Sequence, residues 1–205
     1  MRLYLASTSP ARLATLRAVG VEPVLLSPGV DEEGAVAASA PMTADEMVLF
    51  LARLKAEAVV SPAIDGFILG GDSAFELDGV TYGKPHEPAV ARERWLLQRG
   101  RTGELHSGHW LIDHRGGVLG GATGAVSTAS VQFANDIDEA EIDAYIATGE
   151  PLKVAGAFTI DSLGAPFITS VTGDPHAVVG LSVALLRRLL LEFDVPFHSL
   201  WNRPL

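Results

Sequence analysis

A short apolar run, followed at once by a serine-rich turn and a proline, opens the chain. Residues 2–6 read Arg-Leu-Tyr-Leu-Ala and are bounded by polar residues, a pattern typical of a strand that is covered on both faces. Ser9 can cap a helix because its hydroxyl accepts from a free first-turn N–H, and Pro10 suits the first helical position, where no donor is needed. Gly20 is suited to end that helix. The start of the chain therefore predicts a strand, a turn and a helix.

The turn before this predicted helix is a candidate anion-binding site. A helix N-terminus exposes unpaired N–H groups beside the positive end of the helix dipole. The dipole alone contributes about 0.3–1 kcal/mol, so a polyphosphate needs more, and Arg12 can add a charge-assisted hydrogen bond of about 1.5–3 kcal/mol. We therefore predict that Ser7, Ser9 and Arg12 bind an anionic ligand. The alternative is an ordinary capped helix with Arg12 facing solvent.

The composition limits the classes of partner. A chain of 205 residues with 48% hydrophobic residues is long enough for one substantial core, and we expect one domain over residues 1–205. The net charge of −10 disfavours nucleic acid and anionic membranes as partners, because both reward a basic surface. The absence of cysteine excludes disulfides and thiolate metal sites. Ser7 interrupts any signal-peptide core, and no apolar run reaches the roughly 18 residues of a membrane span, so we expect a cytoplasmic protein.

An acidic stretch follows the second short apolar run, residues 24–26. Asp31, Glu32 and Glu33 lie in a segment rich in turn residues. Such carboxylates could bind a hard cation such as Mg2+, which prefers oxygen ligands. Three adjacent acids in a turn are also often only solvated. The sequence leaves both interpretations open.

The next segment predicts a long helix that carries a lysine. Thr43 and Glu46 form a capping box, and apolar residues then recur at helical spacing over about sixteen residues. Lys55 lies on this helix beside its apolar stripe. The chain has only three lysines against twelve arginines, so a lysine here indicates a position that needs a compact ammonium group. An ordinary surface lysine is the alternative.

Asp72 stands between two signals for β-structure. It follows a short apolar strand, residues 67–69, and two glycines that let the backbone approach another element closely. The Asp-Gly pair at 78–79 then predicts a two-residue hairpin turn, in a register that places Ser73 opposite Lys84. An aspartate at a strand end can bind a metal or act as a general base, and a nearby lysine can hold phosphate oxygens. The alternative is a local ion pair between Asp72 and Lys84.

The remainder of the chain alternates predicted helices and strands. We predict helices over residues 88–99, 138–146 and 180–193, and strands over residues 105–112, 125–133, 154–161 and 166–171. This alternation predicts an α/β fold with a mixed sheet and a ligand-binding cleft at strand ends. His106 and His109 are not expected to chelate a metal together, because residues three apart on a strand point to opposite faces.

Several of these stretches occur in the same order in a known family. They are Leu5–Arg12, Val30–Glu33, Lys55-Ala56, Gly71–Ser73, Gly83–Pro85, Ala155–Phe158, Gly173-Asp174 and Val179–Leu181. Each stretch is a weak signal alone, whereas their order and spacing are specific. Over nearly its full length the chain resembles the Maf family of nucleoside triphosphate pyrophosphatases.

This resemblance implies an elongated mixed β-sheet flanked by helices, with a central cleft, as in inosine-triphosphatase-like proteins. It implies hydrolysis of a nucleoside triphosphate to a monophosphate and pyrophosphate with Mg2+ or Mn2+, and the clearing of non-standard or modified nucleotides as one purpose. By position, Asp72 matches the catalytic carboxylate, and Glu32 with Asp72 would hold the metal. The residues that match phosphate-binding positions are Ser7, Ser9, Arg12, Lys55 and Lys84. The residues at positions where subgroups differ in base preference are Arg12, Ser73 and Asp161.

The sequence also departs from the family pattern. Ala11 replaces the first arginine of the usual pair, and Ser73 stands where the pyrimidine-preferring group has threonine. Asp161 stands where that group has glutamine and the methylated-guanine group has glutamate. Asp161 could accept a hydrogen bond from the amino edge of guanine or cytosine, and it could not donate to a carbonyl as glutamine does. The departures leave the reaction class intact and the preferred base open.

Two other function classes compete with this one. Gly71-Asp72-Ser73 also matches the nucleophile turn of a serine ester hydrolase, in which Ser73 would need a histidine base and an acidic partner. Asp194 and His198 are the candidates, one residue wider than the usual spacing. The other class is a non-catalytic, nucleotide-binding regulator of septum formation.

For the chain as a whole, the expected partner is a nucleoside triphosphate substrate, and neither nucleic acid nor a membrane is expected as a partner. A homodimer is one alternative for the assembly.

Overall fold

The computed structural model describes residues 1–203 and has a mixed α/β fold. Its seven strands are β1 (Leu3–Ala6), β2 (Val24–Leu26), β3 (Gly66–Leu77), β4 (Val80–Tyr82), β5 (Thr102–His114), β6 (Gly121–Phe133) and β7 (Ile168–Gly173). Its α-helices within the described residues are α1 (Pro10–Ala18), α2 (Glu32–Ala37), α3 (Ala44–Ala58), α4 (Pro88–Gln98), α5 (Glu139–Ala147), α6 (Pro175–Val179) and α7 (Val183–Leu191). The strand order is β2-β1-β3-β5-β6-β7, and β4 pairs with β3. None of the helices within residues 1–203 is long and apolar enough to cross a membrane.

The strand, turn and helix predicted at the start of the chain are confirmed. β1 is buried throughout and pairs in parallel with β2 on one side and β3 on the other. The Ser9 hydroxyl accepts from the backbone N–H of Arg12, and Pro10 is the first residue of α1. Gly20 follows the helix with φ +83°, a left-handed conformation that glycine adopts without strain.

The predicted capping box begins α3. The Thr43 hydroxyl accepts from the Glu46 N–H, and the Glu46 carboxylate accepts from the Thr43 N–H. The helix lies directly against β3, since a Cβ added to Gly70 would come within 2.0 Å of the Ala52 carbonyl oxygen. This close approach explains the glycine that the sequence places here. It also buries Lys55, of which only 5% is exposed.

β3 is longer than predicted, and this changes the place of Asp72. The strand runs through Leu77, so Asp72 lies in the middle of β3 and not at a strand end. The apolar residues Phe75 and Leu77 continue the strand because both are buried and pair with β4.

The hairpin register is confirmed up to Phe75, which lies opposite Tyr82. The predicted pairing of Ser73 with Lys84 is wrong, because β4 ends at Tyr82. The chain continues from there through a glycine and a proline, and proline has no N–H with which to extend the ladder.

Two other predictions of local structure are also wrong. The predicted acidic turn is in fact the start of α2, because the Asp31 carboxylate accepts from the Gly34 N–H and caps the helix. The strand predicted over residues 154–161 is replaced by a 3-10 turn, Ala155–Ala157, and irregular backbone. Ala157 has φ +60°, which a strand does not permit, and its carbonyl accepts from the Trp95 indole N–H at 2.8 Å.

The chain divides into two compact units. The first unit contains residues 1–72, 107–127 and the chain from Gly180 onward, and the second contains residues 73–106 and 128–179. The first unit has a core of β1, β3, α1 and α7 residues around Leu5, Leu16 and Leu186. The second has an aromatic core around Trp95, in which Phe133 and Tyr145 approach its ring edge-on at 5.6 and 5.5 Å. The expectation of one domain stays a prediction.

The contact of α3 with β3 predicts a large effect of one methyl group. Gly70→Ala should destabilise the protein by about 3 kcal/mol, because the new Cβ meets a backbone carbonyl that cannot rotate away. Gly83→Ala is the matched control, since nothing lies within 4 Å of a Cβ there, and it should change stability by less than about 0.5 kcal/mol. Urea unfolding of both variants measures the difference. Equal stability of the two variants would contradict the packing described.

Candidate active site

Lys55 lies between two carboxylates. Its Nζ is 2.7 Å from Asp72 Oδ1 and 2.8 Å from Glu32 Oε2. The side chains of Lys55 and Asp72 are 7% and 13% exposed, whereas that of Glu32 is 46% exposed. The ammonium group therefore joins a carboxylate of the protein interior to one that reaches solvent.

The local sequence explains why these three residues meet. Glu32 is the first residue of α2 because Asp31 caps that helix. Lys55 lies in the last turn of α3, and Gly70 allows this helix to approach the strand that carries Asp72. The ion pair of Asp72 is thus formed with a lysine seventeen positions earlier in the chain. No sequence motif links the two positions.

Arg12 is held by the turn that precedes α1. Its Nη1 donates to Ser7 Oγ at 3.1 Å, and its Nε donates to the Gly180 carbonyl at 2.8 Å. Ser7 Oγ also accepts from the backbone N–H of Ser9 at 3.2 Å. Ser7, Ser9 and Arg12 therefore contact one another, and their binding of an anionic ligand stays a prediction. The alternative, an ordinary capped helix with Arg12 facing solvent, is wrong because Arg12 is buried.

The two carboxylates act on Arg12 as well as on Lys55. Burial lowers the pKa of Arg12 from its ordinary value, and the charges of Asp72 and Glu32 oppose this shift. Gly71 leaves room for the guanidinium, since a Cβ added there would lie 3.1 Å from Arg12 Nε. Two cations and two carboxylates thus occupy one region of the first unit.

The N-terminus of α1 contributes backbone donors to the same region. The first turn of this helix contains no acidic residue. The Ser9 hydroxyl accepts from the Arg12 N–H at 3.5 Å, the upper limit of a hydrogen bond, so a stronger anionic acceptor could replace it. Together with the guanidinium and the ammonium, this helix terminus has the chemistry of a polyphosphate site.

The carboxylate pair fits a hard divalent cation. Mg2+ and Mn2+ take oxygen ligands, and Mg2+ is usually held by one or two carboxylates and the phosphates of a substrate. Asp72 and Glu32 each direct one oxygen at the same ammonium group, so their donor atoms already converge on one cationic centre. These two residues are therefore the candidate metal ligands of the first unit.

A second group of potential ligand atoms lies in the second unit. Glu76, Glu104 and His106 have ligand atoms within 4.8 Å of one another. Exposed acidic groups often cluster without a cation, so this group alone does not identify a metal site.

The other predicted residues also belong to the second unit. Lys84 is exposed after the end of β4, Ser73 is half-buried in β3, and Asp161 is exposed in irregular backbone. Their predicted roles in phosphate binding and base preference stay predictions.

The segment that carries Asp161 is held by the half-buried carboxylate of Glu150. Glu150 accepts from the hydroxyls of Tyr145, Thr159 and Ser162, and the first and last of these contacts are 2.9 and 2.6 Å long. Burial raises the pKa of the Glu150 carboxyl, but the hydrogen bonds from Ser162, Thr159 and Tyr145 outweigh burial and lower the pKa below its ordinary value. The residues on either side of Asp161 are therefore anchored to a single carboxylate.

Sequence reasoning missed two groups that hold candidate site residues in place, the Gly180 carbonyl and the Glu150 carboxylate. The Gly180 carbonyl contacts Arg12, and its only signal was the glycine in the motif Val179–Leu181. Glu150 had no signal, because its hydroxyl partners follow no periodic spacing.

The groups required for a serine hydrolase are not assembled at the C-terminus. Asp194 and His198 are both exposed, and within residues 1–203 no hydrogen bond or ion pair joins them. The imidazole of His198 instead faces the ring of Trp201, with 6.0 Å between the centroids. A base oriented by an acid, which this class needs, is therefore not formed by this pair.

Comparisons with known proteins agree with the resemblance seen in the sequence. The family model of the Maf-like protein matches residues 2–193. A protein of Leifsonia xyli subsp. xyli named nucleoside triphosphate pyrophosphatase is 63% identical over 99% of this chain and 98% of its own length. Proteins with the same name from Salinispora tropica and Nocardia farcinica are 51% and 46% identical, over 99% and 98% of this chain and 88% and 97% of their own lengths. Among solved structures, the Staphylococcus aureus Ham1 protein aligns with 95% of this chain and all of its own chain, with 12% identity and a TM-score of 0.45, a similarity too low to support a conclusion.

The fold and the site thus define a mixed α/β protein with a cationic, carboxylate-lined site at a helix N-terminus. The chain belongs to the Maf-like protein family.

The buried ion pair predicts a specific loss of stability. Lys55→Met should destabilise the protein by about 3 kcal/mol at neutral pH, because Asp72 is then left in the interior without its counter-ion. Adding Asp72→Asn to this variant should recover part of the loss. Arg53→Met is the control on the same helix, and loss of its exposed pair with Glu57 should cost less than about 1 kcal/mol. Thermal and urea unfolding check these values, and equal effects of the two single variants would refute the burial of the pair.

The Glu150 contacts predict a pH dependence of stability. The folded pKa of Glu150 is depressed, so its contribution is fully present above the unfolded pKa, about 4.3, and is lost as pH falls through the folded pKa. The difference in unfolding free energy between the native protein and Glu150→Gln should therefore shrink as pH is lowered from 7 to roughly 3. Urea unfolding at several pH values measures it. A difference that is constant over this range would contradict the assignment.

Proposed function

We propose that this chain hydrolyses a nucleoside triphosphate to the nucleoside monophosphate and pyrophosphate. The observation that carries the proposal is the pairing of Lys55 with Asp72 and Glu32 beside the buried Arg12. It is supported by relatives at 63% and 51% identity that are named nucleoside triphosphate pyrophosphatases. Both the site chemistry and the family therefore favour phosphoric anhydride hydrolysis.

The cationic groups bind the triphosphate in this proposal. Arg12 offers a planar set of donors that suits phosphate oxygens, and Lys55 offers a compact charge. Ser7 and Ser9 add hydroxyls at the N-terminus of α1, and Lys84 is assigned a phosphate contact by its place in the family pattern. Binding by several fixed groups holds the phosphates in line for attack and offsets the charge that develops on the leaving group.

Asp72 is the proposed catalytic carboxylate. The oxygen of a water molecule forms a bond to the α-phosphorus, the bond from that phosphorus to the α,β-bridging oxygen breaks, and pyrophosphate leaves with that oxygen. Asp72 orients the water and accepts its proton. Lys55 keeps the Asp72 carboxylate in place, because its Nζ donates to Oδ1.

Asp72 and Glu32 would hold the divalent cation, Mg2+ or Mn2+. When bound, such a cation neutralises phosphate charge and lowers the pKa of a coordinated water molecule. A carboxylate alone is a weak base toward water, which is why the reaction gains from such a cation.

Asp161, Ser73 and Arg12 are the proposed determinants of base preference. Asp161 can accept from an amino group and cannot donate to a carbonyl. A nucleotide-pool enzyme of this kind would clear non-standard or modified nucleotides in the cytoplasm, and this purpose, this location and a homodimeric assembly stay predictions.

The proposal is tested by product analysis of the native protein. A panel of standard and modified nucleoside triphosphates is incubated with and without Mg2+ and with Mn2+, and pyrophosphate and orthophosphate are measured separately. We expect pyrophosphate from at least one nucleotide, and only with a divalent cation. Release of orthophosphate alone would indicate a different hydrolase, and release of neither product would favour a non-catalytic nucleotide-binding protein.

The role of Asp72 predicts a specific loss of turnover. Asp72→Asn should lower kcat by at least about 100-fold, because the amide cannot accept the proton of the water, while KM changes little. Asp78→Asn is the control, since Asp78 lies in the exposed hairpin turn, and it should retain activity. Steady-state kinetics check both, and more than a tenth of native activity in Asp72→Asn would refute the role.

The role of Asp161 predicts a change in base preference. Asp161→Gln should shift the ratio of kcat/KM for GTP and UTP toward UTP by about tenfold, because glutamine can donate to a uracil carbonyl and aspartate cannot. The measurement compares both nucleotides with the native and variant proteins. An unchanged ratio would rule out contact of Asp161 with the base.

A further inference from the structure

We propose that His109 is a positioning residue that fixes the direction of the Arg12 guanidinium through the backbone of residues 180–182. The proposal rests on the function proposed above, in which Arg12 binds phosphate. It adds a residue that the phosphate does not touch.

His109 occupies the interior of the first unit with a defined hydrogen-bonding state. It lies in β5 and is 1% exposed. Its Nε2 is 2.9 Å from the backbone nitrogen of Ser182, and its Nδ1 is 3.0 Å from the Ser107 carbonyl oxygen. A backbone N–H can only donate, so Nε2 is the acceptor, and the ring proton resides on Nδ1 and is donated to Ser107. The neutral ring in this tautomer therefore satisfies both contacts.

Ser182 is held from two directions. Its N–H donates to His109, and its hydroxyl accepts from the Leu185 N–H at 2.9 Å, which caps α7. Two residues earlier, the Gly180 carbonyl accepts from Arg12 Nε at 2.8 Å. The contact of Ser182 with His109 and the contact of Gly180 with Arg12 are two residues apart, and two residues span at most about 7 Å. A shift of the backbone at residue 182 therefore also shifts the carbonyl of residue 180.

The Gly180 carbonyl holds the Nε side of the Arg12 guanidinium. The five donors of arginine form a rigid planar fork, so fixing Nε also fixes the directions of both terminal nitrogens. In the structure Nη1 then reaches Ser7 Oγ at 3.1 Å. Loss of the Gly180 contact would allow the fork to rotate, and a phosphate would have to restore its orientation on binding.

Two amide variants of His109 separate this role from simple packing. The amide oxygen of His109→Gln can take the place of Nε2 and accept from the Ser182 N–H. His109→Asn is shorter, and its amide reaches the place of Nδ1 only. Both variants put a polar amide in the same buried position, so their effects on the thermal midpoint should be similar.

The measurement is binding of inorganic tripolyphosphate with Mg2+ by isothermal titration calorimetry, together with kcat and KM on the preferred nucleotide. We expect His109→Asn to weaken tripolyphosphate binding by about 10–100-fold, and His109→Gln by less than about threefold. In the presence of Arg12→Met, His109→Asn should add less than about a twofold further loss, because the effect passes through Arg12. Equal affinities of the two amide variants, or an additive loss in the Arg12→Met protein, would overturn the proposal.

The same contact can be broken from its other partner, which keeps the test decisive if His109→Asn does not fold. Ser182→Pro removes the N–H at a residue whose φ of −72° suits proline. Ser182→Ala keeps the N–H and loses the same hydroxyl cap. The proline variant should bind tripolyphosphate at least about tenfold more weakly than the alanine variant, and equal binding would overturn the proposal. If the native protein binds tripolyphosphate and these differences appear without any release of pyrophosphate from nucleotides, the proposed function fails while the role of His109 stands.

Discussion

The ion pair between Lys55 and Asp72, extended by Glu32, is the interaction on which the rest of the site depends. Removing an ammonium group from water costs several kcal/mol unless oppositely charged groups compensate for it. Here one compensating carboxylate is nearly buried and the other reaches solvent. The exposed contact is the weaker one, so Glu32 can leave Lys55 for a cation or give way to a phosphate while Asp72 remains bound. The contact of Lys55 with Asp72 is thus the fixed one, and the contact of Lys55 with Glu32 is the exchangeable one.

This arrangement is available only because two adjacent glycines let other groups approach β3. At Gly70 the strand meets the backbone of α3, which carries Lys55, and at Gly71 it meets the guanidinium of Arg12. Side chains at these positions would displace the helix or the arginine. The charge balance of the site and the packing of the first unit are therefore set by the same short segment, in which Asp72 is the next residue. Catalytic groups on a rigid strand and helix are also positioned more accurately than groups on loops.

The sequence predicts those features that depend on local chemistry. The cap of α1 by Ser9 and the hairpin turn at 78–79 were predictable because a few neighbouring residues decide them. The ion pair of Lys55 with Asp72 was not predictable from neighbouring residues, because it depends on how α3 packs against β3. Residues 154–161 have the composition of a strand but are held in irregular backbone by contacts from distant side chains. In the second unit, Ser73 and Lys84 were candidates from residue pattern as well as from the family resemblance, whereas Asp161 was a candidate from the resemblance alone.

One region of the first unit contains Arg12, Lys55, Glu32 and Asp72, and in the proposed function this region receives the phosphates and the divalent cation. A crystal structure of the protein with Mg2+ and a nucleoside triphosphate whose α,β-bridging oxygen is replaced by a methylene group tests it most directly, since such an analogue binds but cannot release pyrophosphate. We expect phosphate oxygens within hydrogen-bonding distance of Arg12 and Lys55, with carboxylate oxygens of Glu32 and Asp72 on the cation. Phosphates bound at another surface, with the Lys55 pairs unchanged, would contradict it.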